Sequence, residues 1–409
     1  MVNKMKVLQI NAVYNISSTG KIVTELHNAL IEKGIDSYVA YSKTSKLDDV
    51  NLYQIGSLAD TKLHALLSRI TGKQGYFSSF ATKRLLKYID SINPDVIHFG
   101  NLHGNFINLP MLLNYIAEKD IPTVITLHDC WFFTGKCCHY TADGCWKWQT
   151  QCDNCPIIEK YNKSWFFDRT RKMFDDKKEL FGKINNLAVI GVSDWLTNDA
   201  KKAPIFENAK LIKRIYNWID LNMFYPKETS ELRKELNLSD EFVLISVSHK
   251  WCAEKGLIKV VDLARKMPHI KFVLVGRIVD EIDLPSNIIS VGEVKSAEKM
   301  VEYYSMADAM LSLSVQETFG KMTAESIASG TPVIGYNSTA TPELIGNGCG
   351  KVVELNATID EIAQAVEEIR ENGKEKYSNT CVEFARDNFD KNKLIGDFID
   401  LYKEMIEKK

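Results

Sequence analysis

The sequence predicts an α/β protein with two doubly wound domains, each a parallel sheet covered by helices on both faces. Short apolar segments alternate with amphipathic segments of helical period along the chain, which is typical of consecutive β-α-β units. A length of 409 residues exceeds what one hydrophobic core usually holds. The alternation breaks near residues 216–220, a polar stretch follows at 226–240, and the alternation then begins again.

The individual elements follow from apolar runs and from helical spacing. In the first half, strands are predicted at 6–10, 38–41, 95–99, 123–127 and 187–191, with helices from Ile22, near 109–119 and around 168–181. In the second half, strands are predicted at 242–247, 272–276, 288–291, 309–313 and 332–335, with helices from about 257, 297 and 323. Because ligands of such sheets bind beyond the carboxyl ends of the strands, the loops that follow strands are the places to look for a site.

Charge and hydropathy exclude several classes of protein. The chain has 51 basic and 53 acidic residues, a net charge of -2, which gives no overall attraction for nucleic acid. No apolar run reaches the roughly 18 residues of a membrane span, and residues 1–9 lack the apolar segment of a signal peptide. We therefore expect a cytoplasmic protein whose cysteines are reduced or bind a metal.

Two loops carry residues suited to phosphates and hydroxyl groups. Ser17–Lys21 is a small-residue segment that opens a helix, where free backbone N–H groups bind phosphate; an N-cap made by Ser17 or Ser18 explains it equally well. Glu317 and Glu325 are eight residues apart, and the loop between them opens another helix. Carboxylates accept charge-assisted hydrogen bonds from sugar and ribose hydroxyls, and the N–H groups of such a loop suit a diphosphate.

The spacing of the two glutamates is not informative by itself. Glu367, Glu375 and Glu383 repeat it on a charged helical surface where no site is expected. The pair Glu317 and Glu325 differs because it follows an apolar strand, which places Glu317 in a loop at a strand end and Glu325 early in the next helix.

Two further candidates are basic. Lys250 and Lys255 follow the first strand of the second half, where a cation stabilises charge on a leaving diphosphate, although most lysines are simply solvated. His128 stands next to Asp129 at the end of a strand, and a structural role and a functional one are equally compatible with that position.

Taken in order along the chain, these segments resemble the family 4 retaining glycosyltransferases of GT-B architecture, in particular the type that builds colanic acid and capsular polysaccharide. The segments that carry the resemblance are Ser18–Val23, His128–Gly135, Val192–Leu196, Asn217–Asp220, Trp251 with Glu254–Gly256, Glu317–Glu325 and Gly330–Ile334. The resemblance implies two Rossmann-like domains that face each other across a cleft. The acceptor-side domain would be 1–225, with a last helix at about 392–409 packed back on it, and the nucleotide-sugar domain would be 226–391.

The resemblance also implies roles for single residues. In the first half, Gly20 would lie on the phosphate or acceptor side and His128 would contact the donor sugar. In the second half, Lys255 would bind the diphosphate, Glu317 the sugar hydroxyls and Glu325 the ribose. The backbone of Thr318, Phe319, Gly320 and Lys321 would lie near the sugar and the phosphate. The family usually has an arginine a few residues before Lys255, and Lys250 stands there instead, without the bidentate fork of arginine.

The implied reaction moves a sugar from a UDP- or GDP-sugar to a saccharide acceptor, with retained configuration and no catalytic metal. The expected acceptor is a lipid-linked saccharide. Such a protein would work in capsule, exopolysaccharide or O-antigen synthesis, in the cytoplasm or on the inner face of the cell membrane. Two alternatives remain: an epimerase or hydrolase of nucleotide sugars on the same architecture, and a non-catalytic protein that binds nucleotide sugars.

Six of the nine cysteines lie between Cys130 and Cys155. Of these, Cys137, Cys145, Cys152 and Cys155 form a candidate set for a structural zinc, since four thiols in a short irregular segment suit a closed tetrahedral site. Reduced thiols that pack in the protein interior are the equal alternative.

The segment 61–89 contains six basic residues and no acid, interleaved with leucine and isoleucine. A basic amphipathic helix pair is typical of elements that contact anionic lipid. The alternative is a pair of helices with the apolar face on the core and the basic residues in water.

Overall fold

The computed structural model describes residues 4–45, 49–251, 256–346 and 348–407. The chain forms two compact units, the first made of Met1–Ile215 with Ile395–Lys409 and the second of Tyr216–Leu394. The domain limits expected from the sequence are 225 and 391.

The first unit contains a seven-stranded parallel sheet in the order β3-β2-β1-β4-β5-β6-β7. Its strands are β1 (Lys6–Tyr14), β2 (Asp36–Thr44), β3 (Leu52–Gln54), β4 (Val96–Phe99), β5 (Thr123–Leu127), β6 (Leu187–Gly191) and β7 (Leu211–Arg214). Its helices are α1 (Ser17–Glu32), α2 (Leu58–Thr71), α3 (Ser79–Ile92), α4 (Leu109–Glu118), α5 (Thr170–Gly182) and α6 (Asp194–Lys202).

The second unit contains a six-stranded parallel sheet in the order β10-β9-β8-β11-β12-β13. Its strands are β8 (Val243–Trp251), β9 (Lys271–Ile278), β10 (Ile288–Gly292), β11 (Ala309–Ser312), β12 (Val333–Tyr336) and β13 (Gly350–Val353). Its helices are α7 (Ser230–Glu235), α8 (Leu257–Lys266), α9 (Ala297–Met306), α10 (Lys321–Ala328), α11 (Thr341–Ile345), α12 (Ile359–Asn372) and α13 (Glu375–Phe389), and α14 (Lys391–Glu407) leads back to the first unit.

The predicted fold class is confirmed, and burial explains which strands the sequence reveals. Every residue of β4, β5, β6 and β12 is buried, as expected for central strands covered by helices on both faces. The short strands β3, β7 and β13 are only partly buried, and their sequences lack a continuous apolar run. They were not predicted for that reason.

The strand order fixes where ligands are expected. In each sheet the order reverses beside the first strand, between β1 and β4 in the first unit and between β8 and β11 in the second. Ligands of doubly wound sheets bind at this switch point, outside the carboxyl ends of the strands.

The part of α14 from Ile395 onward belongs to the first unit. The hydroxyl of Tyr402 lies 2.7 Å from Nδ1 of His98 in β4, and the side-chain amide of Asn186 donates to the carbonyl of Met405. Among the described helices, none combines the length and the apolar character needed to cross a bilayer.

Candidate functional site

The loop that follows β11 carries Glu317 and is held by the loop that follows β12. The backbone N–H of Glu317 donates to Oγ1 of Thr339 over 2.8 Å, and the carbonyl of Glu317 accepts from the N–H of Ala340 over 3.2 Å. The hydroxyl of Ser338 donates to the carbonyl of Val315 over 2.6 Å. The backbone at Glu317 therefore has a fixed position at the switch point of the second sheet.

The same loop turns into α10 at Gly320. Gly320 has a φ of 88°, a left-handed conformation that glycine adopts without strain, and it is the N-cap of α10. The first turn of α10 contains no acidic residue, so its free N–H groups and the positive end of its dipole suit an anion. Thr318 is half-buried, whereas the ring of Phe319 is buried against Tyr216 and Phe389, so Phe319 offers only its backbone to a ligand.

Glu325 lies in the second turn of α10. Its Oε2 accepts a hydrogen bond from the hydroxyl of Tyr304 over 3.2 Å, and its Oε1 lies 3.9 Å from Nζ of Lys321. Burial and the nearby carboxylate of Glu325 raise the pKa of Tyr304, so the tyrosine stays a neutral donor. Glu317 in a loop and Glu325 in the next helix are where the sequence puts them, although α10 begins two residues before the predicted Thr323.

The structure corrects the position of Lys250. The sequence places Lys250 in a loop after a strand that ends at 247, but β8 continues to Trp251 after an irregularity in register between Val247 and Lys250. The indole N–H of Trp251 donates to the carbonyl of Val275 over 2.9 Å and fixes the end of the strand. Lys250 is therefore an exposed residue of a strand, and Lys255 lies outside the described residues.

Sequence reasoning missed Arg277. It is an exposed residue of β9 whose Cα is the register partner of Lys250, so two cations stand side by side at the carboxyl end of neighbouring strands. No local signal identifies Arg277, because the pairing depends on the register between strands 27 residues apart in sequence.

The structure also corrects the surroundings of Gly20. The sequence puts Gly20 at the end of a polar loop, or an N-cap at Ser17 or Ser18, whereas α1 begins at Ser17 with Ile16 as a cap that makes no side-chain hydrogen bond. Gly20 is thus a buried residue of the first turn of α1. Its carbonyl accepts from the N–H of Asn15 over 3.2 Å, so it joins the start of α1 to the end of β1.

His128 lies directly after β5, beside a histidine that the sequence analysis did not single out. Nε2 of His103, from the loop after β4, lies 2.7 Å from Oδ2 of Asp129, and Oδ1 of Asp129 accepts from the N–H of Trp131 over 2.8 Å. Since β4 and β5 are neighbours in the sheet, their carboxyl ends bring His103, His128 and Asp129 together.

Burial and charge set different protonation states for these groups. Burial lowers the pKa of His128 to about 4, with Asp129 opposing and His103 adding to the shift. Burial also acts to lower the pKa of His103, but the charge and hydrogen bond of Asp129 outweigh it and raise that pKa. Burial acts to raise the pKa of Asp129, and His103 outweighs it and lowers that pKa. His128 is therefore a neutral imidazole beside a His103–Asp129 ion pair.

The candidate zinc ligands are neighbours without forming a compact ligand set. The thiols of Cys137 and Cys155 are hydrogen-bonded to each other, and the N–H of Gly135 donates to Sγ of Cys152 over 3.3 Å. Among the described residues, one group of three possible metal ligands has its ligand atoms within 4.8 Å of one another. This group is His103, Asp129 and Cys138, and it does not include the predicted thiols.

Two parallel-sheet units with this strand order, and with carboxylates and a helix start at the switch point of the second sheet, match the architecture of the GT-B glycosyltransferases. Residues 19–223 match the model of glycosyltransferase family 4, and residues 228–388 match that of glycosyl transferases group 1. The chain belongs to glycosyltransferase family 4.

Among curated proteins, the chain is similar to a putative colanic acid biosynthesis glycosyl transferase, WcaC, of Escherichia coli K12, with 22% identity over 98% of this chain and 100% of the relative. It is also 25% identical to an N-acetyl-alpha-D-glucosaminyl L-malate synthase of Bacillus anthracis over 55% of this chain and 62% of the relative.

Solved structures show the same fold. A glycosyltransferase from Rickettsia africae superposes with a TM-score of 0.69 at 16% identity and covers 100% of both chains. Anabaena Alr3699/HepE, solved in complex with UDP and glucose, superposes with a TM-score of 0.65 at 14% identity over 98% of this chain and 100% of that one.

Proposed function

We propose that this glycosyltransferase moves a sugar from a nucleoside diphosphate sugar to a saccharide acceptor, with retained anomeric configuration. The observation that supports it best is the segment 317–325 at the switch point of the second sheet. This segment combines a carboxylate in a braced loop, a left-handed glycine, the free N–H groups of α10 and a second carboxylate in its second turn. The solved relative that contains UDP and glucose supports a nucleotide-sugar donor.

The proposed roles follow from chemistry and position. The start of α10 binds the diphosphate through backbone N–H groups, Glu317 accepts hydrogen bonds from donor-sugar hydroxyls, and Glu325, held by Tyr304, accepts them from the ribose. Lys250 and Arg277 supply positive charge for the diphosphate, and Lys255 has the same proposed role. This pair of cations takes the place of the arginine that the family usually has.

In the first unit, neutral His128 is the proposed contact for the donor sugar, because a neutral imidazole can donate or accept a hydrogen bond without repelling a hydroxyl group. The His103–Asp129 pair positions the residues that flank His128. Gly20 remains a proposed contact on the phosphate or acceptor side, now as part of the first turn of α1.

The proposed reaction breaks the bond between the anomeric carbon and the diphosphate oxygen. The acceptor oxygen bonds to that carbon on the same face, and its proton passes to the leaving diphosphate. This scheme needs no metal ion from the protein, because the helix start and the cations stabilise the charge on the leaving group.

The acceptor is proposed to be a lipid-linked saccharide in polysaccharide synthesis, used by a cytoplasmic protein at the inner face of the cell membrane. The similarity to a putative colanic acid glycosyl transferase supports this choice of pathway class.

A structural zinc at Cys137, Cys145, Cys152 and Cys155 is also proposed. Two buried lysines support it: the ammonium of Lys136 donates to the carbonyl of Ile158 over 2.6 Å, and that of Lys177 donates to the carbonyl of Trp131 over 2.5 Å. Burial lowers the pKa of Lys136, and it lowers the pKa of Lys177 to about 7. A zinc ion with four thiolates carries a net negative charge, which would favour the charged form of both ammonium groups. The thiols would have to draw closer together than they are in the structure.

Nucleoside diphosphate release from a panel of UDP-, GDP- and ADP-sugars, with and without a membrane-lipid extract, tests the proposed function. Release from one donor that depends on the extract is the expected result. Release without the extract would indicate a hydrolase, and conversion of the donor without release would indicate an epimerase. Tight nucleotide binding without any turnover would indicate a non-catalytic binding protein.

A further inference from the structure

The buried side chains of helix α2 are polar, and several of its apolar side chains are exposed. Its buried residues are Thr61, His64 and Ser68, all polar, whereas Leu63 and Leu66 are 57% and 43% exposed. A helix that packs on an apolar core shows the reverse arrangement. Leu63 and Leu66 are therefore not explained by the core of the first unit, whereas Leu67 and Ile70 of the same helix are half-buried.

The buried polar groups of α2 are satisfied, so the arrangement is stable as it stands. Nδ1 of His64 lies 2.8 Å from the hydroxyl of Ser78, and Nε2 of His64 accepts from the N–H of Gly75 over 3.2 Å. The hydroxyl of Ser68 donates to the side-chain oxygen of Asn105 over 3.4 Å. These contacts fix which face of α2 points outward.

Helix α3 in the same basic segment is ordinary by comparison. It buries Ala81, Leu85 and Ile89 and exposes Lys83, Arg84 and Lys87, and the exception is Phe80 near its start, which is 82% exposed. Of the two explanations for segment 61–89, an apolar face on the core therefore describes most of α3, whereas it leaves Leu63 and Leu66 of α2 unexplained.

A second element adds to the outward face of α2. Trp165, Phe166 and Phe167 are three consecutive aromatic residues that are 45%, 70% and 50% exposed. The N–H of Trp165 donates to the carbonyl of Arg69 in the last turn of α2 over 2.7 Å. The aromatic segment is thus attached to α2.

The attachment depends on a glycine. Gly72 caps α2 with a φ of 72°, and a Cβ at this position would lie 2.2 Å from the carbonyl oxygen of Phe167. The hydroxyl of Ser164 donates to that same carbonyl over 2.7 Å. Because these contacts fix the turn, they hold the backbone that carries the three exposed rings in place against α2.

The charges beside these rings are positive. Lys62 and Arg69 are exposed on α2, and the guanidinium of Arg169 lies 5.4 Å from the ring centre of Phe167. The neighbouring Asp168 accepts from the backbone N–H groups of Cys155 and Thr170, which engage its charge. Aromatic and aliphatic side chains beside bases match the interface of an anionic bilayer, where rings insert at the headgroups and bases bind lipid phosphates.

We propose that the outward face of α2 (Leu63, Leu66 and Arg69) together with Trp165, Phe166 and Phe167, the α2–aromatic surface, docks on an anionic lipid bilayer. The proposal deepens the proposed membrane location and rests on it, but not on the identity of donor or acceptor. A bilayer fits the surface better than a second copy of the chain, because two such positive surfaces would repel each other.

Sedimentation with vesicles tests the proposal directly. The full-length protein is expected to bind vesicles of phosphatidylglycerol and phosphatidylcholine at low salt, and pure phosphatidylcholine much less. Arg69→Gln should weaken binding to the anionic vesicles about fivefold, and the double change Leu63→Ser with Phe166→Ser should weaken it at least about tenfold. Leu355→Ser is the matched control, since Leu355 is 44% exposed in the second unit, and it should bind like the native protein.

Quenching of tryptophan fluorescence by brominated lipid locates the contact. The native protein is expected to show quenching that Trp165→Phe removes, while its melting temperature stays unchanged. Equal binding to neutral and anionic vesicles, no effect of the double change, or a dimer that Phe166→Ser dissociates would each overturn the proposal. Nucleoside diphosphate release with detergent-dispersed acceptor is measured on the same variants, so a failure of the membrane surface is distinguishable from a failure of the proposed transferase activity.

Discussion

Arg277 and Lys250 are the residues whose proposed role depends most on the structure. Their Cα atoms are register partners at the carboxyl ends of β9 and β8. Changing Arg277 to Gln should weaken UDP or GDP binding about tenfold, since a hydrogen bond to a charged group contributes roughly 1.5–3 kcal/mol. Titration calorimetry with both nucleotides measures the change.

Arg265→Gln is the control for that experiment. Arg265 is an exposed arginine of α8 that lies 3.4 Å from Asp262, and its removal should leave nucleotide binding unchanged. Equal affinities for the native protein and Arg277→Gln would contradict the role given to Arg277.

The His103–Asp129 pair predicts a pH-dependent contribution to stability. Because its pKa is raised, His103 stabilises the fold at pH values below 6.5, the usual pKa of histidine. This stabilisation is lost as the pH rises through the raised pKa. Because its pKa is lowered, Asp129 stabilises the fold at pH values above 3.8, the usual pKa of aspartate. This stabilisation is lost as the pH falls through the lowered pKa. The pair should therefore contribute most between about pH 4 and pH 6.5.

Changing His103 to Gln should cost about 2 kcal/mol in that window, because it leaves a buried carboxylate with fewer partners. The melting temperature should fall by roughly 4–8 °C near pH 5.5 and by less at pH 9. His269→Gln, which removes a more exposed pair with Glu367, should have little effect at either pH. A difference that grows from pH 5.5 to pH 9 would contradict the assignment of charges.

For single residues, the sequence reveals those site residues that are recognised from their neighbours along the chain. Glu317 and Glu325 stand out because an apolar strand precedes them and a helix begins between them. His103 and Arg277 do not stand out, because their partners Asp129 and Lys250 lie 26 and 27 residues away in sequence. Contacts of this kind depend on which strands are neighbours, and a single sequence does not show that.

At the scale of elements, α1 and α2 show where pattern reasoning fails. The polar residues at 17–20 suggest a loop. In the structure, Asn15 and Ser17 have left-handed backbone conformations that complete the turn after β1, so the polar residues from Ser17 onward already belong to α1. For α2, apolar spacing predicts a helix correctly but does not tell which face is buried. Hydrogen bonds of His64 and Ser68, made to residues outside the helix, decide that face.

The segment between β5 and α5 gives a prediction at the element scale. It contains two short 3-10 turns and no longer helix or strand, and its internal contacts are those of buried aromatic residues such as Phe133 and Trp148, to which a metal would add a further link. We predict about one zinc per chain in purified protein, and a chelator should lower the melting temperature. Cys145→Ser should reduce the zinc content, whereas Cys381→Ser, in α13, should not.

Elemental analysis of the native protein and the two variants decides the question. Well under one zinc per chain in the native protein would contradict the proposal and leave packed, reduced thiols as the explanation of the cysteine cluster.

For the whole molecule, the alternation of strands and helices predicts two doubly wound units, and the structure confirms this class. Two other features of the fold are harder to predict from the sequence. Short edge strands such as β3 and β7 have little apolar sequence. The return of α14 to the first unit depends on a long-range contact between Tyr402 and His98. The segment 317–325, on which the central claim of glycosyl transfer depends most, lies in the second unit.

The most direct test of that claim compares Glu317→Gln with Glu383→Gln. Both changes neutralise one glutamate of a pair with eight-residue spacing, but Glu383 is an exposed residue of α13. The measurement is donor-dependent release of nucleoside diphosphate in the presence of lipid extract. We predict that Glu317→Gln lowers kcat/KM about 10- to 100-fold, in line with the loss of charge-assisted hydrogen bonds to the donor sugar, while Glu383→Gln keeps native activity. Equal activity of the two variants would contradict the account.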